Sequence, residues 1–501
     1  MKIVIIGSGG AGISAIQTIR ASSPDAEPRG VQRREPIVVH GKEIHIALLS
    51  SERELAYSPC ALPYVISDSI PYKRLARLDN NFYKKNKVQT SWGSPVCKID
   101  LGRKSVALKN GKTFFYDKLL IATGSVPIKP AIPGIDKTGV FFVDTLKNTR
   151  RIKDYIRKEK IAKLGKQVAI IGAGFTGIET ALALRQQGIN VIVIEMLDRI
   201  LAKVLDDDFA QIAQDKINAI HPLIPPYPPL QKGGRGDFGG RGDLWIDAKR
   251  HGPYGPKEIE FKLSSAVTEI KGKTKVKSVL LHNGKNLPVD MVIVSVGVRP
   301  NMEFLRDSGI TLNKGIVVND RMQTNEPDIY AAGDVAETVD YITGEPTISA
   351  IWPNAIEQGK VAGLNMLGQE THYPGCSSIN VLNLPQWDTP RGILEGTPVI
   401  SMGKIFDGKP KPNTTHLNGS YTYRNENSIR RIFISNNVYP HTNGIGVGAL
   451  VGFESIGEFR NLGHIWSLIQ KRTPVKEMNP NILMDNTVPM GNFTTKDTKK
   501  Y

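Results

Sequence analysis

Residues 166–196 read KQVAIIGAGFTGIETALALRQQGINVIVIEM. The run QVAII is apolar and β-branched, which predicts a strand buried on both faces. Gly172, Gly174 and Gly177 follow as GxGxxG, and a helical segment comes next. In such a turn the first glycine permits the sharp reversal, and the second lets a pyrophosphate approach the backbone. The third lets helix and strand pack closely. The pyrophosphate then rests on the helix N-terminus, whose free N–H groups and dipole meet its charge. VIVIE closes a second strand on Glu195, 23 residues beyond Gly172, where a ribose diol needs an acceptor. Met196 follows instead of an arginine, so a 2′-phosphate finds no counter-charge and the unit is expected to prefer NADH to NADPH. The alternative is a Rossmann-type unit without a nucleotide, which the complete fingerprint disfavours.

The N-terminus repeats the pattern. MKIVIIGSGGAGISAIQTIR is a strand, a glycine turn with Gly7, Gly9 and Gly12, and a helix. Its second strand is expected at IHIALLS, after an insertion of about 18 residues around PRGVQRREPIVVHGKEI, judged from ordinary βαβ size. Ser50 ends that strand where an acid is usual, and Glu52 lies two residues on. Either Glu52 reaches the ribose from an adjusted loop or Ser50 binds it. Two further segments complete the pattern. YDKLLIATGSVPIKPAIPG (116–134) is a strand ending in Ala122-Thr123-Gly124 and then a proline-rich crossover. TNEPDIYAAGDVAE (324–337) is a short strand that places Asp334 after a glycine and before an expected helix. There the carboxylate can accept from a ribityl hydroxyl while helix N–H groups meet a phosphate.

The chain has 501 residues, enough for several domains, and its 40% hydrophobic and 23% charged residues describe an ordinary globular protein. Its 65 basic and 48 acidic residues leave a net charge of +17. With no nucleic-acid motif and no aromatic-interleaved basic stripe, the charge does not imply nucleic-acid binding. Cys60, Cys97 and Cys376 are too few and too scattered for a disulfide framework or a metal cluster, so no metal is expected. MKIVIIG begins a strand at once, which leaves no room for a signal peptide, and no apolar run would cross a bilayer. The expected location is the cytoplasm.

GSGGAG, ATGSVP, GAGFTGIE, SVGVRPN and YAAGDVAE, in this order and spacing, resemble the FAD-dependent pyridine nucleotide-disulfide oxidoreductases over about residues 1–480. The resemblance implies an α/β protein with two Rossmann-like domains, for FAD and NAD(H), and an α+β C-terminal dimerisation domain. Carried over by position, Gly7, Gly9, Gly12, Thr123, Gly124 and Asp334 hold FAD, with Ser50 or Glu52 at the ribose. Gly172, Gly174, Gly177, Glu179 and Glu195 line the NAD(H) side. The expected divisions are 1–148 and 286–368 for the FAD domain, 149–285 for the NAD(H) domain and 369–501 for the dimer domain.

AYSPCALPYV, residues 56–65, holds one of the three cysteines. Ser58 can cap a helix start, Pro59 suits the first helical position, and Cys60 then falls among free N–H groups that favour a thiolate. Pro63 keeps any such helix short. A half-buried cysteine in a turn is the other local reading. The chain lacks the CxxxxC and CxxC redox disulfides of many family members, and SPCALPY resembles the single-cysteine branch of coenzyme A-disulfide reductases, NADH oxidases and NADH peroxidases. That resemblance implies a redox-active Cys60 facing the flavin and leaves Cys97 and Cys376 structural. Peroxidases and water-forming oxidases of the branch carry a histidine where this chain has Gly10, so histidine-assisted peroxide chemistry is not expected. Lys73, Arg74 and Arg77 could meet the phosphates of coenzyme A, or form a solvated basic face.

HPLIPPYPPLQKGGRGDFGGRGD (221–243) interrupts the NAD unit as part of an inserted loop, 221–256, whose composition cannot pack a core. A second insertion, PQWDTPRGILEG (385–396), splits two C-terminal strands. SINVLNL, TPVISMGKI, SIRRIFISN and VGALVGFES are expected strands, and LGHIWSLIQKR an expected helix, of the interface domain. The branch can use a partner-subunit tyrosine at the flavin, for which Tyr421 and Tyr423 are both candidates. The sequence thus points to a homodimeric FAD enzyme passing electrons from NADH, through Cys60, to a small-molecule acceptor: a disulfide of the coenzyme A or polysulfide type, peroxide or oxygen. The alternatives are an electron-input flavoprotein subunit serving a redox partner protein, and a non-catalytic nucleotide-sensing module.

Overall fold

The run Lys2–Ile6 forms a strand that is buried at every position after Lys2. That is the pattern of a central strand in a parallel sheet covered on both sides. It pairs in parallel with His45–Leu49 on one edge and Lys118–Ile121 on the other. Val88–Ser91 and Ile329–Ala331 complete the sheet, in the order Ile329–Ala331, Lys118–Ile121, Lys2–Ile6, His45–Leu49, Val88–Ser91. These coordinates are a computed structural model, which describes residues 1–22, 43–76, 78–219, 259–385, 396–403, 419–424, 428–434, 449–457 and 462–470.

The same construction recurs. A second parallel sheet runs Ile259–Lys262, Asn190–Ile194, Gln167–Ile171, Met291–Val294, Val140–Phe142. Each unit also carries a three-stranded antiparallel sheet: Val96–Asp100, Ser105–Leu108 and Thr113–Phe115 in the first, Val267–Lys271, Ser278–Leu281 and Asn286–Pro288 in the second. In the first unit this small sheet covers one face of the parallel sheet, through Ile99, Val106 and Leu108. The helices Gly10–Ala21 and Trp352–Met366 cover the other, meeting through small residues such as Ala11, Ala15, Ala355 and Ala362. The ribbon of Ser125–Pro127 with Val298–Pro300 ties the two crossovers together.

Sheet membership differs from the divisions at 149 and 285. Val140–Phe142 and Met291–Val294 both belong to the second sheet. Met291–Val294 pairs with Gln167–Ile171 as Lys118–Ile121 pairs with Lys2–Ile6, and the three-residue strand Val140–Phe142 closes the far edge. A strand that short has no periodicity to read in a sequence. Downstream of Asp334 the chain enters the strand Ala336–Val339, not the expected helix. Here alanine and valine pair with neighbouring strands, and tertiary context overrides local propensity.

The C-terminal segment is a five-stranded antiparallel sheet in the order Ile379–Pro385, Gly396–Gly403, Leu450–Ile456, Ile429–Ile434, Gly419–Arg424. Gly419–Arg424 was not among the strands expected from sequence. One face, with Leu382, Val399, Ile429 and Ile456, packs against Leu182 and Phe209 of the second unit. The helix Leu462–Gln470 covers the other face through Ile465, Leu468 and Ile469. The insertion at 385–396 falls between two paired strands, with Pro385 opposite Gly396. Residues 386–395, 23–42 and 220–258, which hold most of the three inserted stretches, lie outside the described residues, as does Arg77. No described helix is long and apolar enough to cross a membrane, and no group of three His, Cys, Asp or Glu among the described residues could hold a metal ion.

A polar cluster is buried where the C-terminal sheet meets the second unit. Glu454, 0% exposed, accepts a hydrogen bond from the Asp206 N–H at 2.9 Å. Arg431 pairs with Asp206 and, at 3.0 Å, with Asp208. Burial, reinforced by the Asp206 charge, pushes the Glu454 carboxyl from 4.5 up to about 9. An exposed glutamate of the unfolded chain ionises at the lower value while the folded chain keeps its proton. Between those two pH values the folded state therefore binds the extra proton, and its stability falls as pH rises. The fall is at most about 1.4 kcal/mol per pH unit. Glu454→Gln is expected to flatten it, and thermal unfolding of both proteins across the window checks this. Parallel curves would show that Glu454 titrates no differently in the two states.

Candidate functional site

Both glycine turns are held by contacts that no side chain could share. A Cβ on Gly7, whose φ is +114°, would lie 1.9 Å from the Ala122 carbonyl oxygen, and one on Gly12 would lie 2.0 Å from the Gly7 oxygen. The second unit matches: the distances are 2.3 Å from Gly172 to Ser295 O and 2.1 Å from Gly177 to Gly172 O. The middle glycines differ. A Cβ on Gly9 or Gly174 meets nothing within 4 Å. Each begins a twelve-residue helix with no side-chain cap, leaving backbone donors directed into open space. These cradles fit the pyrophosphate of a dinucleotide.

Around the first cradle, the Thr123 hydroxyl donates to Asn301 O at 2.7 Å, and Asn301 N–H donates to Gly124 O at 3.0 Å. The Ser125 hydroxyl donates to Asp334 at 2.8 Å, and burial raises the Asp334 carboxyl above its ordinary value. Gly333 N–H donates to the buried Gln358 side chain of the helix Trp352–Met366 at 2.7 Å, so this helix fixes the Asp334 turn from the side. Trp352 of the same helix lies against Gly10, where a Cβ would touch the indole at 3.4 Å, leaving little space for a histidine. Ser50 stands 3.1 Å from Ser8 of the glycine turn, oxygen to oxygen. Glu52 instead accepts from the Tyr57 hydroxyl at 2.7 Å.

In the second unit, Glu195 accepts from Ala173 N–H at 2.7 Å and from Leu197 N–H at 2.9 Å, which places its carboxylate beside the cradle. Met196 and Leu197 are exposed. Arg199 pairs with Asp198 and Asp207 at 3.0 and 2.9 Å. Glu179 lies one turn into the helix Phe175–Gln186, and burial raises its carboxyl to about 7.

Cys60 falls in the three-residue 3-10 turn Pro59–Ala61, where Ser58 is extended and makes no capping bond. The expected thiolate-favouring helix start is therefore absent. Cys60 is exposed at the surface, yet the protein atoms packed around its sulfur partly desolvate it and push the thiol up; a Ser58 hydrogen bond opposes this, and the charges of Glu179 and Asp334 add to the rise. Its surroundings matter more than its local helix. The turn leads into Leu62–Ile66, and Ile66 is buried in the second unit's core with Ile178 and Leu182. Ser69 donates to Gln186 of the same helix at 3.2 Å. Cys60, a first-unit residue, is thus brought to the seam between units, where the charges of Glu179 in the second unit and Asp334 in the first both act on its thiol. Tyr64 joins them, its hydroxyl pushed up to about 12 by burial, then by Glu179 and Cys60.

Lys73 and Arg74 lie exposed on the short turn Tyr72–Arg74. Tyr421 and Tyr423 occupy the edge strand Gly419–Arg424 opposite Ile432 and Arg430, and their side chains lie outside the described residues. Cys97 is exposed and donates to Ala107 O at 3.4 Å; Cys376 is buried, which pushes its thiol up to about 11. Sequence reading missed Ser8, Tyr57, Tyr64, Ser125 and Asn301. Each lies inside a motif quoted from the sequence, Ser8 in GSGGAG, Ser125 in ATGSVP, Asn301 in SVGVRPN, and Tyr57 and Tyr64 around Cys60, but nothing in those strings singled out its side chain.

The profile of the pyridine nucleotide-disulphide oxidoreductase family matches residues 1–219 and 256–359. The chain belongs to that family, and the gap in the match falls on the inserted loop. It is 34% identical to an NADH oxidase of Methanocaldococcus jannaschii over 386 residues, 75% of this chain and 73% of that protein. Over 99% of this chain and 92% of the other it is 27% identical to a CoA-dependent NAD(P)H sulfur oxidoreductase of Pyrococcus abyssi. Its fold matches an NAD-dependent persulfide reductase from A. fulgidus with a TM-score of 0.71 and 22% identity, covering 95% of this chain and 78% of that one. It is an oxidoreductase that uses FAD and NAD(H).

Because the nearest neighbours of each third glycine lie in the turn and strand of its own unit, Gly12→Ala and Gly177→Ala should act separately. Each overpacks its loop by about 1–3 kcal/mol. Gly12→Ala is expected to lower flavin content on purification with NADH affinity kept, and Gly177→Ala the reverse. Loss of both ligands from either substitution would show that the cradles are not independent.

Proposed function

We propose that the first unit holds FAD and the second NADH, and that electrons pass by way of Cys60 to a disulfide-type sulfur acceptor such as coenzyme A disulfide or a polysulfide, with peroxide or oxygen as lesser acceptors. The observation that carries this reading is the position of Cys60 at the seam, on a turn whose following helix buries Ile66 in the second unit's core, where the charges of Glu179 and Asp334 act on its thiol. The relatives' names support it.

When bound, FAD supplies the two-electron link between the nicotinamide and sulfur. The chain's residues do the rest. Gly7, Gly9 and Gly12 admit the FAD pyrophosphate, Thr123 and Gly124 border it, and Asp334 accepts from its ribityl chain. Gly172, Gly174 and Gly177 admit that of NADH, and Glu195 takes the ribose diol. Glu179 handles a proton for Cys60. A thiolate at Cys60 and a carboxylate at Glu179 oppose one another, so moving the thiol proton to Glu179 exchanges one charge for another without adding a second. The Cys60 sulfur then attacks one sulfur of the substrate; the S–S bond breaks and the second sulfur leaves as a thiolate that takes a proton. Two electrons originating in NADH, with protons, later return the mixed disulfide to free thiols. Lys73 and Arg74 offer exposed positive charge to an anionic substrate. The C-terminal sheet serves a homodimer, with Tyr421 or Tyr423 contributed across it.

Glu195 repels a 2′-phosphate, and Arg199 is committed to two aspartates. NADPH should therefore be used less efficiently than NADH, by about tenfold or more if one to a few kcal/mol of repulsion applies. Comparing kcat/KM for the two checks this, and equal values would reject it. Cys60→Ser should retain FAD and still let NADH bleach the flavin absorption. Turnover with coenzyme A disulfide should collapse, since a serine cannot form the mixed disulfide. Wild-type turnover by Cys60→Ser would make the cysteine a packing residue and favour a role in electron input to a partner protein. An NADH-consumption screen with coenzyme A disulfide, polysulfide, peroxide and oxygen in parallel ranks the acceptors.

A further inference from the structure

The internal repeat aligns the two ribose-side corners residue by residue. After the first strand, Gly7 N–H donates to Leu49 O and Gly172 N–H to Ile194 O, both at 2.8 Å. One residue past the second strand, Ser50 N–H donates to Ser91 O and Glu195 N–H to Lys262 O, both at 2.9 Å. Ser50 is therefore the counterpart of Glu195, and Ser8 of Ala173. Side chains follow the same geometry. Glu195 receives Ala173 N–H from the glycine turn and Leu197 N–H from two residues on. Ser50 faces Ser8 of the glycine turn at 3.1 Å and receives Glu52 N–H, from two residues on, at 3.3 Å.

By this register Glu52 matches Leu197. Its carboxylate is engaged elsewhere. It accepts from Tyr57, whose oxygen in turn accepts from Leu146 N–H at 3.0 Å, the first residue of the helix Leu146–Lys158. Glu54 pairs with Arg150 of that helix at 2.9 Å. Glu52 is thus a strut between the second-strand loop and the helix that leads to the second unit.

We infer that the paired hydroxyls of Ser8 and Ser50, and not the Glu52 carboxylate, receive the ribose diol of the adenosine half of FAD, an assignment that rests on the reading of the first unit as the FAD site. The two units then read the same sugar by different chemistry. A carboxylate only accepts, and forms charge-assisted bonds about twice as strong as neutral ones. A hydroxyl pair both donates and accepts without charge.

The test is titration of flavin-stripped full-length protein with FAD and with FAD built on 2′-deoxyadenosine, followed by flavin fluorescence. Wild type should bind the deoxy analogue about three- to tenfold more weakly, the worth of a neutral hydrogen bond. Ser50→Ala should bind FAD as weakly as wild type binds the analogue and should no longer distinguish the two. Ser50→Thr, which keeps the hydroxyl, should restore discrimination, and Glu52→Gln should discriminate as wild type does. If Ser50→Ala is recovered unfolded, Ser8→Ala provides the same readout. Undiminished discrimination in the serine variants, or its loss in Glu52→Gln, would overturn the assignment. Wild-type protein that binds no FAD would instead sink the FAD reading, and this proposal with it.

Discussion

The Gly12 and Gly177 α-carbons lie so close to the carbonyls of Gly7 and Gly172 that no side chain fits between them. Much else depends on this contact. It draws each helix onto the strand before it, so that the helix begins over the end of the sheet. Its first donors then face outward across an open middle glycine. Strand order follows: the central strands Lys2–Ile6 and Gln167–Ile171 are buried because a helical layer packs down on one side. A bulkier residue at the third glycine would lift the helix and open the cradle together.

Duplication of this unit creates a seam that neither copy has by itself. Neither unit alone places a cysteine near an acid of the other. The segment from Pro59 to Ile66 leaves the first unit and buries Ile66 in the second, which carries Cys60 to the seam. There desolvation raises the thiol and both carboxyls, and the charges of Glu179 and Asp334 raise the thiol further. The C-terminal sheet also rests on the second unit, with Glu454, Asp206 and Arg431 placed in its otherwise apolar contact.

Repetition also shows where the units have diverged. Main-chain hydrogen bonds where the second strand of each unit ends beside its glycine turn agree to 0.1 Å or better at both compared positions. What differs is side-chain chemistry: an acid beside Ala173 in one, two serines in the other. The scaffold sets position, and the residue type sets what each corner can donate or accept.

Much was legible in the linear sequence. Local patterns read directly: buried strands as unbroken apolar runs, glycine turns by their spacing, and Glu195 by its distance from Gly172. These depend on contacts within one βαβ unit, so their signal lies within about thirty residues. The family resemblance extended that to the order of the units and to Cys60. Other features were decided only by the tertiary structure. The three-residue strand Val140–Phe142 exists because Met291–Val294 offers it an edge. The Cys60 thiol is pushed up by desolvation, held back by the Ser58 hydroxyl beside it, and raised further by the charges of Glu179 and Asp334, residues far away in sequence. Glu52 is drawn away from the glycine turn, which Ser50 faces, by a tyrosine hydroxyl that receives a helix N–H 89 residues further on. Side-chain direction and the electrostatics of a seam are long-range properties, because desolvation and charge act through space and not along the chain.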